Sequence, residues 1–168
     1  REKGWWGEVI GPGKAHDTER YQVLGIDFHG GSGTTTGPRP GQTNFPSISS
    51  YDQAEILRRV VEHLRASLAA IIGASYGGMV ALAFAERYPQ LVGHTIAISA
   101  ADRPHPMATA WRSVQRAMVR YAAKNGDSPE GLRLARALAM ATYRSPEDFA
   151  ARFSGAPARI DGRCQFPV

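Results

Sequence analysis

The sequence predicts an α/β protein built on a partial parallel sheet with flanking helices, followed by the start of a helical lid. Three observations carry that expectation. Short apolar, β-rich runs alternate with amphipathic stretches from residue 21 to about residue 101. One junction between such a run and the next helix reads Gly73-Ala74-Ser75-Tyr76-Gly77-Gly78. Beyond about residue 105 the spacing of apolar residues is helical.

Each element follows from its own residues. Residues 21–27 (YQVLGID) are short, apolar and β-rich, and read as a buried strand before a glycine- and threonine-rich loop over 29–46. Ser49 or Ser50 can cap a helix running to about Leu64, with Ile56, Val60, Val61 and Leu64 as its apolar stripe. Residues 68–73 form a second strand, 77–88 a helix stopped by Pro89, and 94–99 a third strand. From there the chain reads as wholly helical. Trp111, Val114, Met118 and Tyr121 share one face, and residues 132–143 continue after the Asn125-Gly126-Asp127 break. Ser145-Pro146-Glu147-Asp148 opens another helix with a cap, a first-turn proline and first-turn acids. Residues 162–168 read as a loop. Such alternation implies helices on both faces of the sheet. Three strands are too few for a closed domain, so the chain reads as an internal piece of a longer one. Residues 1–101 then form a partial core and residues 102–168 an incomplete lid over the strand ends.

Composition narrows the function classes. The chain has 168 residues, 43% apolar and 21% charged, which is ordinary globular usage. A lone cysteine, Cys164, excludes a disulfide within the chain and a zinc site built on several thiolates, and fits a reducing, cytoplasmic setting. Apolar runs such as residues 68–72 are far short of the roughly 20 residues a spanning helix needs, so no membrane role is expected. The net charge is +5, and only Lys3, Lys14 and Lys124 of the 20 basic residues are lysine, which leaves 17 arginines. That bias suits forked recognition of carboxylate or phosphate, and equally a solvated basic surface. The arginines do not alternate with aromatics along a strand, and no nucleic-acid partner is expected.

The segment around Ser75 is the sharpest signal. It matches G-x-S-x-G with a strand before it and a helix after it. A serine on that strained turn is presented at the strand's carboxyl end, and the close approach of strand and helix demands small neighbours. Ser75 is the expected nucleophile, and the backbone N–H of Tyr76 an oxyanion donor at the positive end of the helix dipole. The bland alternative is a tight turn. The α/β-hydrolase fold that uses this elbow places its acid and histidine after the serine. Only His94 and His105 follow Ser75. His94 opens a strand and His105 lies in a proline turn, so neither reads as the base. Asp102 comes too early to be the triad acid and reads as a helix cap. The acid and histidine are therefore expected beyond Val168. His29-Gly30-Gly31 reads as a structural loop near the site mouth rather than the lipase-type oxyanion loop.

Several ordered segments resemble the homoserine O-acyltransferases of the α/β-hydrolase fold. They are Gly4-Trp5-Trp6, Gly11-Pro12-Gly13-Lys14-Ala15, Asp17-Thr18-Glu19-Arg20-Tyr21, Gly30-Gly31, Thr35-Thr36-Gly37-Pro38, the elbow, Glu86-Arg87-Tyr88-Pro89 and Thr142-Tyr143-Arg144-Ser145. The resemblance implies a two-step acyl transfer of methionine or cysteine biosynthesis. Ser75 takes the acyl group from an acyl-coenzyme A co-substrate and passes it to the hydroxyl of L-homoserine or L-serine. No permanently bound cofactor and no metal are implied. Arg144 matches the family arginine that holds the amino-acid carboxylate. Arg112 departs from acetyl-transferring relatives, whose matching segment reads more like A-F-N-E-V against Ala110-Trp111-Arg112-Ser113-Val114 here. A cation there suits the distal carboxylate of a succinyl group, so a succinyl donor is preferred over acetyl. A homodimer is expected of the full-length protein, and a plain serine esterase is the alternative activity.

Overall fold

The computed structural model describes residues 6–39, 41–42, 44–155, 158–160 and 163–165. The chain divides into two compact units, Arg1–Asp102 and Arg103–Val168.

In the first unit, helix α1 (Ser50–His63) starts where a capping box can form. The Ser49 hydroxyl accepts from the Asp52 N–H, and the Asp52 carboxylate accepts from the Ser49 N–H at 2.7 Å. Strand β1 (Leu68–Ala74) is followed by helix α2 (Tyr76–Arg87), which ends just ahead of Pro89. A single 3₁₀ turn, Pro89–Leu91, leads into strand β2 (Val92–Ile98). The two strands pair in parallel, from Leu68 opposite Val92 to Ala74 opposite Ile98. Parallel neighbours need a crossover, and α2 supplies it.

The core lies where α1, α2 and the sheet meet. Ala54, Leu57, Val61, Ala83 and Phe84 are buried together, with Ile26, Leu68, Ile71 and Val92 packed around them. Burying Phe84 completely removes about 200 Å² of ring and stem from water, worth roughly 3 kcal/mol or more. Glu55 and Tyr88 add a polar seam between the helices: the tyrosine hydroxyl donates to the Glu55 carboxylate at 2.7 Å. The same carboxylate takes Arg58 and Arg59, and these bonds hold it well below the usual carboxylate range.

Several expectations need correcting. Residues 21–28 form no strand; Tyr21, Val23 and Leu24 are about half exposed. A strand is defined by its partner, and among the described residues none pairs with this segment. Nor do helices cover both faces of the sheet within this unit: Ile96 and Ile98, two apart and so on one face of β2, are each 44% exposed. The stripe buried on α1 is Ala54, Leu57 and Val61, while Leu64 is exposed, because α2 meets the helix one position away from the expected line.

The second unit holds α3 (Pro106–Lys124), α4 (Ser128–Thr142) and α5 (Pro146–Phe153). The N-caps are His105, Asp127 and Ser145. Asp102 therefore does not cap α3. The His105 ring nitrogen does so, accepting from the Met107 N–H at 3.2 Å. A three-residue turn makes α3 and α4 an antiparallel hairpin: Gln115 donates to the Ala135 carbonyl at 3.2 Å, while Gly131 faces Met118 and Ala122. A Cβ on Gly131 would overlap that of Ala122, so the glycine lets the helices close up. This contact uses the face bearing Gln115, Met118, Val119 and Ala122. Of the four residues expected to share one face, Met118 lies against Gly131, while Trp111, Val114 and Tyr121 are 40%, 47% and 74% exposed. The remainder is not wholly helical either, nor is its end a plain loop. Strands β3 (Ala158–Ile160) and β4 (Arg163–Gln165) pair antiparallel.

Candidate functional site

Ser75 sits between the last residue of β1 and the first of α2. Its backbone has φ 52° and ψ −119°, a conformation L-residues adopt at a cost of roughly 1–3 kcal/mol. Two features hold it there. The Ser75 N–H donates to the Ile98 carbonyl at 2.8 Å, which carries the β1–β2 ladder one residue into the turn. Beneath the turn, strand and helix touch through backbone alone. A Cβ on Gly73 would overlap the Gly77 carbonyl and lie 2.7 Å from the Gly78 nitrogen. One on Gly78 would lie 2.6 Å from the Ala100 methyl. Gly77, by contrast, has only the Phe28 ring at 3.8 Å. The steric need thus falls on Gly73 and Gly78, and the second of these lies outside the five-residue motif.

The consequence is an exposed serine whose side chain makes no cap hydrogen bond to α2. The N–H groups of the first turn, Tyr76 included, have no carbonyl four residues earlier to bond. They lie at the positive end of the α2 dipole. A hydroxyl and backbone donors at one helix start are what a reacting carbonyl needs.

A loop braces this turn. The Phe28 ring meets the Tyr76 ring edge-on, with centroids 5.0 Å apart. Gln53, 98% buried on α1, clamps the next residue at both ends of its peptide: its Oε1 accepts from the His29 N–H at 2.9 Å and its Nε2 donates to the His29 carbonyl at 2.7 Å. The Gly30 N–H donates to the Thr36 carbonyl and the Gly31 N–H to the Thr35 hydroxyl. All three donors of His29-Gly30-Gly31 are engaged within the protein, in keeping with a structural loop. Gln53 escaped the sequence reading although its signal was present: it falls in line with Leu57 and Val61, a polar residue on a buried stripe.

Among the described residues no histidine is hydrogen-bonded to Ser75. The His94 ring nitrogen lies 3.3 Å from the Ala69 carbonyl, and that of His105 caps α3. No group of three or more metal-ligating side chains occurs among the described residues, and no helix there is long and apolar enough to cross a membrane.

Arg112 and Arg144 both belong to the second unit. Arg144 follows the C-cap of α4, and its guanidinium donates to Asp148 on α5 at 2.9 Å. The other Asp148 oxygen takes Arg152 at 2.9 Å. These two arginines, Arg152 foremost, hold the Asp148 carboxyl below its ordinary value. Pairing steadies the Arg144 fork and leaves most of its five N–H donors for another acceptor. Arg112 is exposed on α3 and lines a cleft shared with α4.

A family model described as the alpha/beta hydrolase fold matches residues 3–163. The chain belongs to the α/β-hydrolase-fold family. It is 37% identical over 163 residues to a homoserine O-succinyltransferase of Xanthomonas campestris pv. campestris, covering 96% of this chain and 42% of the relative. To a homoserine O-acetyltransferase of Thermus thermophilus it is 36% identical over 167 residues, covering 92% and 44%. A solved structure of a mutant of esterase E22 superimposes with a TM-score of 0.78 at 25% identity, covering 89% of this chain and 47% of that one. The chain spans less than half the length of the curated relatives it matches.

Proposed function

We propose that this chain is part of a homoserine O-acyltransferase that works through an acyl-enzyme on Ser75. The observation that carries the reading is the elbow: an exposed serine at φ 52° between a parallel strand and a helix start, beside first-turn N–H groups that have no carbonyl one turn earlier in their own helix. In the first half-reaction the Ser75 oxygen attacks the thioester carbon of an acyl-coenzyme A, its proton passing to a base. The tetrahedral oxyanion forms against the Tyr76 N–H, and the C–S bond breaks as coenzyme A leaves with a proton. In the second, the hydroxyl of homoserine, or of serine, attacks the seryl ester and returns the proton to Ser75. Arg144, steadied by Asp148, binds the carboxylate of the acceptor. The similarity to homoserine O-succinyl- and O-acetyltransferases supports transfer over hydrolysis. A succinyl donor is favoured by Arg112, whose guanidinium suits a second carboxylate. The base and its acid partner are assigned to sequence outside these 168 residues. The 168-residue segment alone is accordingly inactive, and the protein works in the cytoplasm.

The test uses the product of the whole reading frame. It is given succinyl- or acetyl-coenzyme A with homoserine or serine, and O-acyl product and free thiol are followed together. Equal thiol and O-acylhomoserine, with succinyl-coenzyme A the better donor and Arg112→Ala erasing that preference, is the expected result. Thiol release without O-acyl product, or fast cleavage of simple esters, would make the protein a hydrolase like the esterase it superimposes on.

A further inference from the structure

The α3–α4 hairpin carries a charge arrangement of which the acyl transfer proposed above uses only Arg112. Arg112, Arg116 and Arg120 recur at i, i+4 and i+8 on α3, a row about 12 Å long at 1.5 Å per residue. With Arg136 from α4 they line a cleft of about 470 Å³, within the size range of small-ligand sites. Its floor includes Val119, and the Tyr143 ring, 74% exposed, lies at its edge.

Among the described residues the cleft has no built-in counter-charge. Helix α3 contains no Asp or Glu, and the single acid of α4, Glu130, is taken up by Arg133 at 2.6 Å. Arginines elsewhere do find carboxylates: Arg58 and Arg59 pair with Glu55, and Arg144 and Arg152 with Asp148. Among the described residues none of the four cleft arginines forms an ion pair, and Arg116 only donates to the Ser113 hydroxyl at 3.0 Å. Like charges one helical turn apart disfavour the helix, so the row stands at a cost that an anion would relieve.

We propose that this cleft binds a nucleotide, with Arg116, Arg120 and Arg136 holding its phosphates and Tyr143 offering its ring face to the base. Guanidinium forks match phosphate oxygens in pairs, and the row's spacing suits a ligand with several anionic groups in line. An apolar floor and an exposed aromatic ring add a place for a planar base, which inorganic phosphate does not need. The limited volume of this open cleft and the short row favour a small nucleotide over a nucleic-acid strand. Such phosphates could come from a free nucleotide or from the nucleotide end of coenzyme A. The anion chemistry stands apart from the acyltransfer reading; only the coenzyme A source rests on it.

The experiment is calorimetric titration of the whole protein with ADP, coenzyme A, inorganic pyrophosphate and adenosine at two salt concentrations. ADP binding that weakens with salt, with pyrophosphate weaker and adenosine weakest, is expected. The double variant Arg116→Gln, Arg120→Gln keeps its helical content and loses about tenfold or more in ADP affinity, one lost contact being worth up to that factor. Arg133→Gln, outside the cleft, changes nothing. Coenzyme A bound far more tightly than ADP, with the same loss in the double variant, identifies the donor as the source. Unchanged ADP affinity in the double variant, or a single-stranded oligonucleotide preferred over every mononucleotide, overturns the proposal. Acyl transfer that persists with an inert cleft sinks this inference alone. Nucleotide binding without acyl transfer sinks only the function proposed above.

Discussion

Replacing Gln53 with leucine isolates the bracing of the elbow, because volume is nearly kept while both hydrogen bonds to His29 disappear. Their lengths, 2.9 and 2.7 Å, are those of well-formed bonds, and Gln53 is only 2% exposed. Two such bonds at a net value of about 1 kcal/mol each put the loss at about 2 kcal/mol. His29 itself is exposed, so water can reach its freed peptide groups and the full penalty of stranding them is not incurred. At a urea dependence of about 2 kcal/mol per molar, the unfolding midpoint drops by about 1 M. The local signature is sharper: exchange of the His29 amide hydrogen speeds up by roughly 10- to 30-fold, since every 1.4 kcal/mol is a factor of ten. Phe28, next in the chain, should loosen its contact with Tyr76 in step. A midpoint that falls while His29 exchange stays at the wild-type rate would refute the clamp and leave Gln53 as mere packing.

Three other outcomes follow from the same geometry. Gly73→Ala drives a methyl into the Gly77 carbonyl and should cost about 3 kcal/mol in thermal or urea unfolding, whereas Gly77→Ala, which meets only the Phe28 ring at 3.8 Å and gains helix propensity, should be neutral or stabilising. Equal damage from both would show that the elbow is not packed as described. Phe84→Ala, at a wholly buried ring beside Tyr88, should lose about 3–5 kcal/mol, and a loss below 1 kcal/mol would mean that α1 and α2 do not share this core. Glu55, held low by Arg58, Arg59 and Tyr88, has a folded pKa below its unfolded value of about 4.3. Its contribution is therefore present above that value and lost as pH falls through the folded one. The stability gap between wild type and Glu55→Gln should be flat from pH 7 to about 5 and close progressively below about 4. A gap that widens on acidification would contradict the assignment.

What was legible in the sequence was what is decided locally. The helix starts at Ser49 or Ser50 and at Ser145-Pro146, and the elbow, each need only a few neighbouring residues and lie where those residues place them, the structure choosing Ser49 as the first cap. Partners elsewhere in the chain decided the rest. Residues 21–27 have strand composition but find nothing to pair with among the described residues. The buried side of α1 differs from the expected stripe because that helix carries apolar residues on more than one side, and α2 selects which is covered. The arginine row on α3 was visible as a spacing. Arg136 joins it only once Gly131 lets α4 approach, a contact no local pattern announces.

The central claim is that Ser75 becomes acylated. Intact mass and peptide mapping of the full reading-frame product, quenched seconds after mixing with succinyl-coenzyme A, address it directly. One succinyl group on the Ser75 peptide, discharged on adding homoserine and absent in Ser75→Ala, is the predicted result. Turnover without a covalent adduct, or an adduct that survives in Ser75→Ala, would contradict the account.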